Sequence, residues 1–149
     1  MKIPIGANIY KLFRIIILRK WNLMLNMSKF ENHKNLYLNF KNDAENEVNS
    51  KPSRTELYFL SIFHLIECCA AKHRVHVNKH QKIRTALENN SNIFEKETEN
   101  VWRLFQDIEN KIRPKFAYGF SGTDDDFNEL KEKYYKLEEI CNKVLLDES

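Results

Sequence analysis

Glycine and proline are scarce in this chain, with three of each among 149 residues. Sandwiches, barrels and dinucleotide-binding folds need many tight turns, which these two residues form, so their scarcity argues against such folds. Cysteine is equally rare. Three cysteines, two of them adjacent, make no disulfide framework, and we expect a reduced, cytoplasmic protein. With 42% hydrophobic and 30% charged residues the chain can still bury one core.

Acidic residues are absent from the first 26 positions, which carry five Lys and Arg. The first acid is Glu31, so 19 of the 24 cations remain in residues 27–149 against all 21 acids. The body of the chain therefore has a net charge of −2. A polyanion would have to meet a local basic cluster, because this body is not basic as a whole.

Long apolar runs are missing as well. The uncharged runs at 15–18 and 21–28 fall short of the roughly 20 residues that cross a bilayer, so we predict no integral membrane segment. Residues 1–26 have two interpretations: a basic amphipathic helix on a membrane surface, or a leader upstream of natural translation from Met27 or Met24. The abrupt change in composition at Met27 favours the second. We expect a leader at 1–26 and one domain at 27–149.

Helical periodicity dominates this domain, and no strand pattern is convincing. The second predicted helix begins with a capping box at Ser53 and Glu56, and twelve of the fifteen residues at 57–71 are apolar. A helix covered on nearly all sides belongs at the centre of a bundle. Three other predicted helices lie at 30–48, after Asn78 and at 95–113, and the last of these is stopped or kinked by Pro114. A further predicted helix begins at the cap Thr123. The sequence thus predicts an all-α, antiparallel four-helix bundle with one additional short helix.

Three polar residues, Ser61, His64 and Glu67, share one stripe of the second helix. His64 with Glu67 is a buried ionisable pair with two interpretations. It is either an internal hydrogen-bonded pair that fixes the bundle register, with Arg54 or Tyr118 as a partner, or a cleft site that faces nucleotide or RNA.

Potential metal ligands follow at the end of this helix. Cys69 with His73, and His76 with His80, are spaced by four residues, so each pair could project from one helical face toward a metal ion. Alternatively the cysteines are small core residues and the histidines lie in a solvated turn. We expect no cofactor.

A basic turn spans residues 72–84, with five Lys and Arg, three His and no acid. A stretch of one sign creates local positive potential and is a candidate phosphate-binding surface. It has no aromatic residue, so base stacking is not expected. The candidate binding cations of the turn are Lys72, Arg74, Lys79, Lys82 and Arg84.

These features in this order resemble the HEPN superfamily of all-helical nucleotide-binding domains, over about residues 53–144. The resemblance is carried by Ser53-Arg54, Tyr58, the string at 63–67, His80, Arg84, Leu87, Arg113 and Ala117-Tyr118, followed by a helix that opens with acids. The resemblance implies a homodimer. In active members it implies a metal-independent ribonuclease site, in which an arginine is followed after four to six residues by a histidine that moves a proton at the ribose 2′-hydroxyl.

The chain departs from that motif after Arg113, because positions 118–120 hold Tyr118, Gly119 and Phe120. The leading hypothesis is therefore a non-catalytic or weakly catalytic HEPN-like protein that binds nucleic acid, nucleotide or a protein partner. Toxin–antitoxin or defence systems with a nucleotidyltransferase partner are the expected setting. One alternative is a metal-independent ribonuclease that pairs Arg113 with His64 or His80. Another is a scaffold bundle with a small zinc site.

Aromatic residues outside the narrow core seams also predict a homodimer. Large rings of this kind are enriched at protein interfaces, whereas the alternative is that they cap the ends of the bundle. The rings concerned are Trp102, Phe116, Tyr118, Phe120, Tyr134 and Tyr135.

Overall fold

The computed structural model describes residues 5–118 and 121–147, with side chains from residue 11, and within these ranges it contains no strand. The predicted all-α class is confirmed. A π-helical turn, Ile108–Ile112, connects α4 to α5, and 3₁₀ turns at His80–Lys82 and Glu95–Glu97 precede α3 and α4. The helices are α1 Ile5–Glu45, α2 Lys51–Lys72, α3 Ile83–Asn89, α4 Thr98–Asp107, α5 Arg113–Ala117 and α6 Asp124–Leu146.

Helix α2 is the central element, as its apolar composition predicted. It packs against α1, α5 and α6, and Ile62, Leu65 and Ile66 are fully buried. Each such side chain contributes about 1.5–3 kcal/mol of transfer free energy on burial. The positions of α1, α5 and α6 are therefore set by the need to cover α2.

Helix α1 is longer than the sequence predicted. The expected start near Phe30 is wrong, since one continuous helix runs from Ile5 to Glu45. The change in composition at Met27 alters which side chains the helix carries, but no proline or glycine interrupts residues 7–45. Before residue 26 all described side chains are exposed, including Phe13 and Trp21. Among the described helices none is long and apolar enough to cross a membrane.

The start of α2 differs from the predicted capping box. The N-cap is Ser50, whose side chain accepts a hydrogen bond from the Ser53 backbone N–H at 3.4 Å. Pro52 fits the first turn, where its missing N–H costs nothing, so the helix begins before Ser53. Glu56 is thereby left free to form an ion pair with Arg113.

Pro114 bends the fourth predicted helix without ending it. The π-helical turn lies immediately before Arg113, and α5 then carries Pro114 in its own first turn. A widened turn accommodates the missing N–H and the bulk of the proline ring. The chain remains helical to Ala117, beyond the predicted stop.

Helix α6 follows its sequence pattern closely. Thr123 is the N-cap and forms a capping box with Asp126, whose carboxylate accepts from the Thr123 N–H at 2.9 Å. Lys115 and Thr123 together lower the pKa of Asp126 to about 2. The predicted seam faces inward, with Phe127, Leu130, Tyr134, Leu137 and Cys141 buried.

Candidate functional site

A cluster of polar side chains lies in the interface between α1 and α2. His33 Nε2 is 2.9 Å from Glu67 Oε2, and His33 Nδ1 is 3.0 Å from His64 Nδ1. The imidazole rings of His33 and His64 stack with their centroids 5.3 Å apart. His33 and Glu67 are 9% and 4% exposed, so this pair is almost completely removed from water, whereas His64 is partly exposed.

His33 is the member of the cluster that the sequence analysis missed. Tyr37 is an apolar residue buried on α1, and His33 lies one turn before it on the same face. Extending the helical step back by four residues would have found it. His64 and Glu67, which the sequence did single out, lie three residues apart on α2 and so point to the same side.

Short polar contacts join the three side chains of the cluster. His33 Nε2 lies at hydrogen-bond distance from the Glu67 carboxylate, and one hydrogen bond joins the Nδ1 atoms of His33 and His64. Burial lowers the pKa of His64, and the neighbouring His33 lowers it further. His64 is thus mainly neutral at pH 7.

One oxygen of the cluster has no partner. Among the described side chains, Glu67 Oε1 is the buried polar atom without a hydrogen bond. His76 Nδ1, in the segment after α2, approaches it only to 4.0 Å. An unpaired buried carboxylate oxygen is costly, so the cluster as it stands lacks one interaction.

The two residues proposed as partners for His64 and Glu67 have other contacts. Arg54 Nε donates to the Ala44 carbonyl at 2.7 Å, and its guanidinium lies 4.9 Å from the centre of the Phe127 ring. It joins the end of α1 to the start of α2. Tyr118 is 81% exposed at the end of α5.

The metal ligands proposed at the end of α2 do not converge. Cys69 is buried with its Sγ 3.5 Å from the Cys141 carbonyl, and His73 Nδ1 lies 3.1 Å from the Cys69 carbonyl. His80 Nδ1 pairs with Glu109. Of the four, His76 alone approaches the buried cluster.

The thiols themselves are also unsuited to metal binding or nucleophilic chemistry. All three cysteines are buried and unpaired. Burial, helped by the neighbouring Cys69, raises the pKa of Cys68 to about 12. Burial likewise raises the pKa of Cys141 well above its ordinary value. Because the thiolate is the reactive form, Cys68 and Cys141 are inert at neutral pH.

Arg113, the predicted phosphate-contacting arginine, is bound to a carboxylate. Its Nε and Nη2 donate to the two oxygens of Glu56 at 2.7 and 2.8 Å, and these bonds raise the pKa of Arg113. The guanidinium also lies 4.3 Å from the centre of the Phe59 ring. The His80 ring meets the same Phe59 ring edge-on, with centroids 5.2 Å apart. Arg113 and His80 are therefore brought together around Phe59, whereas His64 belongs to the other cluster.

The basic turn keeps three cations free of partners. Lys72 Nζ donates to the Val144 and Asp147 carbonyls at the end of α6, and Arg84 pairs with Glu88 at 2.9 Å. Within the described part of the chain, Arg74, Lys79 and Lys82 are exposed and form no ion pair or side-chain hydrogen bond. Lys79, Lys82 and His76 line an open depression of about 270 Å³.

Several of the aromatic rings assigned to a dimer interface are interior residues of the chain. Trp102, Phe116 and Tyr134 are buried, and Trp102 lies between the guanidinium groups of Arg84 and Arg103. Phe120 lies outside the described residues. The rings that remain on the surface are Tyr118 and Tyr135.

Comparison of the chain with protein-family models, with curated proteins and with solved structures gave no match. The resemblance to the HEPN superfamily is carried by the sequence pattern alone. Function is therefore argued from the residues and their geometry.

The bidentate pair of Arg113 with Glu56 predicts a measurable coupling. A double-mutant cycle with Arg113→Ala and Glu56→Ala should give about 1 kcal/mol in urea denaturation, because the pair is half-buried and makes two charged hydrogen bonds. The matched control is Arg103 with Glu99, an exposed pair on α4, for which we expect a clearly smaller coupling free energy. Equal coupling in the two cycles would contradict a structural role for Arg113.

Proposed function

We propose that this chain is a HEPN-like protein, built as an antiparallel four-helix bundle with one additional short helix, that binds RNA through its basic turn. The observation that carries the proposal is the set of three free cations, Arg74, Lys79 and Lys82, on one exposed turn. The other candidate cations serve the fold. Three free thiols, all buried, support the cytoplasmic setting expected from the sequence.

The charge distribution supports a polyanion as the ligand. A cluster of unpaired cations on a net-acidic body attracts phosphates to one place instead of spreading them over the surface. Lysine and arginine contacts to phosphate oxygens carry no base information, and the turn offers no aromatic ring for stacking. We therefore expect binding that depends little on sequence and strongly on salt.

The RNA proposal is tested by anisotropy of a labelled single-stranded RNA with the full chain. The triple variant Arg74→Gln, Lys79→Gln, Lys82→Gln should bind at least about tenfold more weakly and lower the salt slope by about 2, since three phosphate contacts are lost.

The control triple is Lys34→Gln, Lys96→Gln, Lys136→Gln, which removes the same charge from other exposed positions. We expect it to retain most of the affinity. Equal losses in the two triples, or no binding by the wild-type chain, would contradict the basic turn as an RNA site.

A second candidate function, metal-independent ribonuclease activity, is favoured by the contacts around Phe59. Glu109 holds His80 at Nδ1, which leaves Nε2 to accept a proton from a ribose 2′-hydroxyl, and Arg113 lies against the same ring. The positive charge of Arg113 would stabilise a phosphate once Arg113 dissociates from Glu56.

Incubation of structured RNA with the chain in EDTA tests this activity. If it is present, cleavage is lost with Arg113→Ala and with His80→Asn but retained with Arg103→Ala, an exposed arginine on α4. An absence of cleavage by the wild-type chain would contradict the ribonuclease and leave the RNA-binding proposal in place.

We further propose a homodimer, and a nucleotidyltransferase in a toxin–antitoxin or defence system as a partner. Support for the homodimer comes from the exposed apolar side chains of α1, such as Phe13 and Trp21, together with Tyr118 and Tyr135. Light scattering on the full chain should give twice the mass of 17.9 kDa. A single-chain mass at concentrations on the order of tens of micromolar would contradict the dimer.

A further inference from the structure

We propose that His33, His64 and Glu67 form a binding site for a divalent transition metal of the zinc class between α1 and α2. One donor atom from each residue lies within 4.8 Å of the others, which is close enough for a single ion. Two imidazoles with one carboxylate suit Zn²⁺, whereas Ca²⁺ and Mg²⁺ prefer oxygen donors alone. Support for this site does not rest on the proposed RNA function.

The unpartnered oxygen of Glu67 is the second observation that points to a ligand. Glu67 is 4% exposed, and its Oε1 has no hydrogen bond among the described residues. A metal ion would supply the missing interaction and balance the buried negative charge. The imidazole protons between His33, His64 and Glu67 would be displaced as the ring nitrogens turned to the metal.

The surroundings of the cluster favour a closed, structural site. The Phe40 and Phe63 rings pack against His64 with centroids 5.6 and 5.4 Å away, so one side of the site is apolar. The ligands stand on two packed helices, which hold them in place. A metal there would link α1 to α2 and add directly to the stability of the fold.

His76 is placed to be the fourth ligand. Its Nδ1 is 4.0 Å from Glu67 Oε1, and its ring centroid is 6.1 Å from that of His33. It is more exposed than the other three, and it lies in the segment between α2 and the 3₁₀ turn at His80–Lys82. It would close a tetrahedral site from the solvent side, and that side is the path by which the metal enters.

The test uses the untagged full chain after treatment with a chelator. Co²⁺ titration should produce the visible absorption of a tetrahedral site, saturating near one equivalent per chain, and Zn²⁺ should displace it. Zinc should also raise the melting temperature of the wild-type chain. No visible band with excess Co²⁺ would overturn the proposal, whatever the variants do.

Variants then locate the ion. His33→Asn and His64→Asn should each weaken Co²⁺ binding at least about 100-fold and abolish the thermal shift by zinc, while His76→Asn should weaken binding about tenfold. His73→Asn is the matched control, because the described hydrogen bond of His73 goes to the Cys69 carbonyl and not to the cluster, so the change should leave binding unchanged. Binding that survives in both His33→Asn and His64→Asn would overturn the site.

Discussion

The nearly continuous apolar surface of α2 is the constraint on which the rest of the structure depends. A helix of this kind must be covered on every side, and α1, α5 and α6 do so. Every polar group on α2 must then find its hydrogen-bond partners on those neighbouring helices. Ser61 achieves this, because its hydroxyl donates to the Tyr37 carbonyl at 3.0 Å and shares a hydrogen bond of 2.8 Å with the Tyr134 hydroxyl. Glu67 achieves it at only one of its two oxygens.

The same constraint decides which cations stay free. One cation near each end of α2 meets the carboxyl end of a neighbouring helix, where unpaired carbonyls attract positive charge. Arg54 is bound by the end of α1 and Lys72 by the end of α6. The free cations Arg74 and Lys79 lie in the irregular segment after α2, and Lys82 lies in the 3₁₀ turn that follows. The charge run at 72–84 therefore became one structural tether, one surface ion pair and three available cations.

Local patterns in the sequence predicted the parts of the fold that depend on local physics. The all-α class, the central position of α2 and the cap and seam of α6 follow from periodicity and capping chemistry, which act over a few residues. The predicted start of α1 was wrong because a change in composition does not by itself end a helix. The pairing of Arg113 with Glu56 joins residues 57 positions apart and depends on how α2 meets α5. No local signal specifies such a contact.

The candidate sites likewise divide into residues that local sequence patterns predict and residues that only the packing of the helices brings in. His64 and Glu67 were evident as polar residues on an apolar helix, whereas His33 becomes meaningful only when α1 is placed against α2. His76 connects this buried cluster to the basic turn, since it approaches Glu67 and also lines the depression with Lys79 and Lys82. A metal ion held by the cluster and by His76 would fix the segment that carries the free cations. Ordering that segment in advance would lower the entropic cost of binding a phosphate there, and by linkage a bound polyanion would in turn favour the metal.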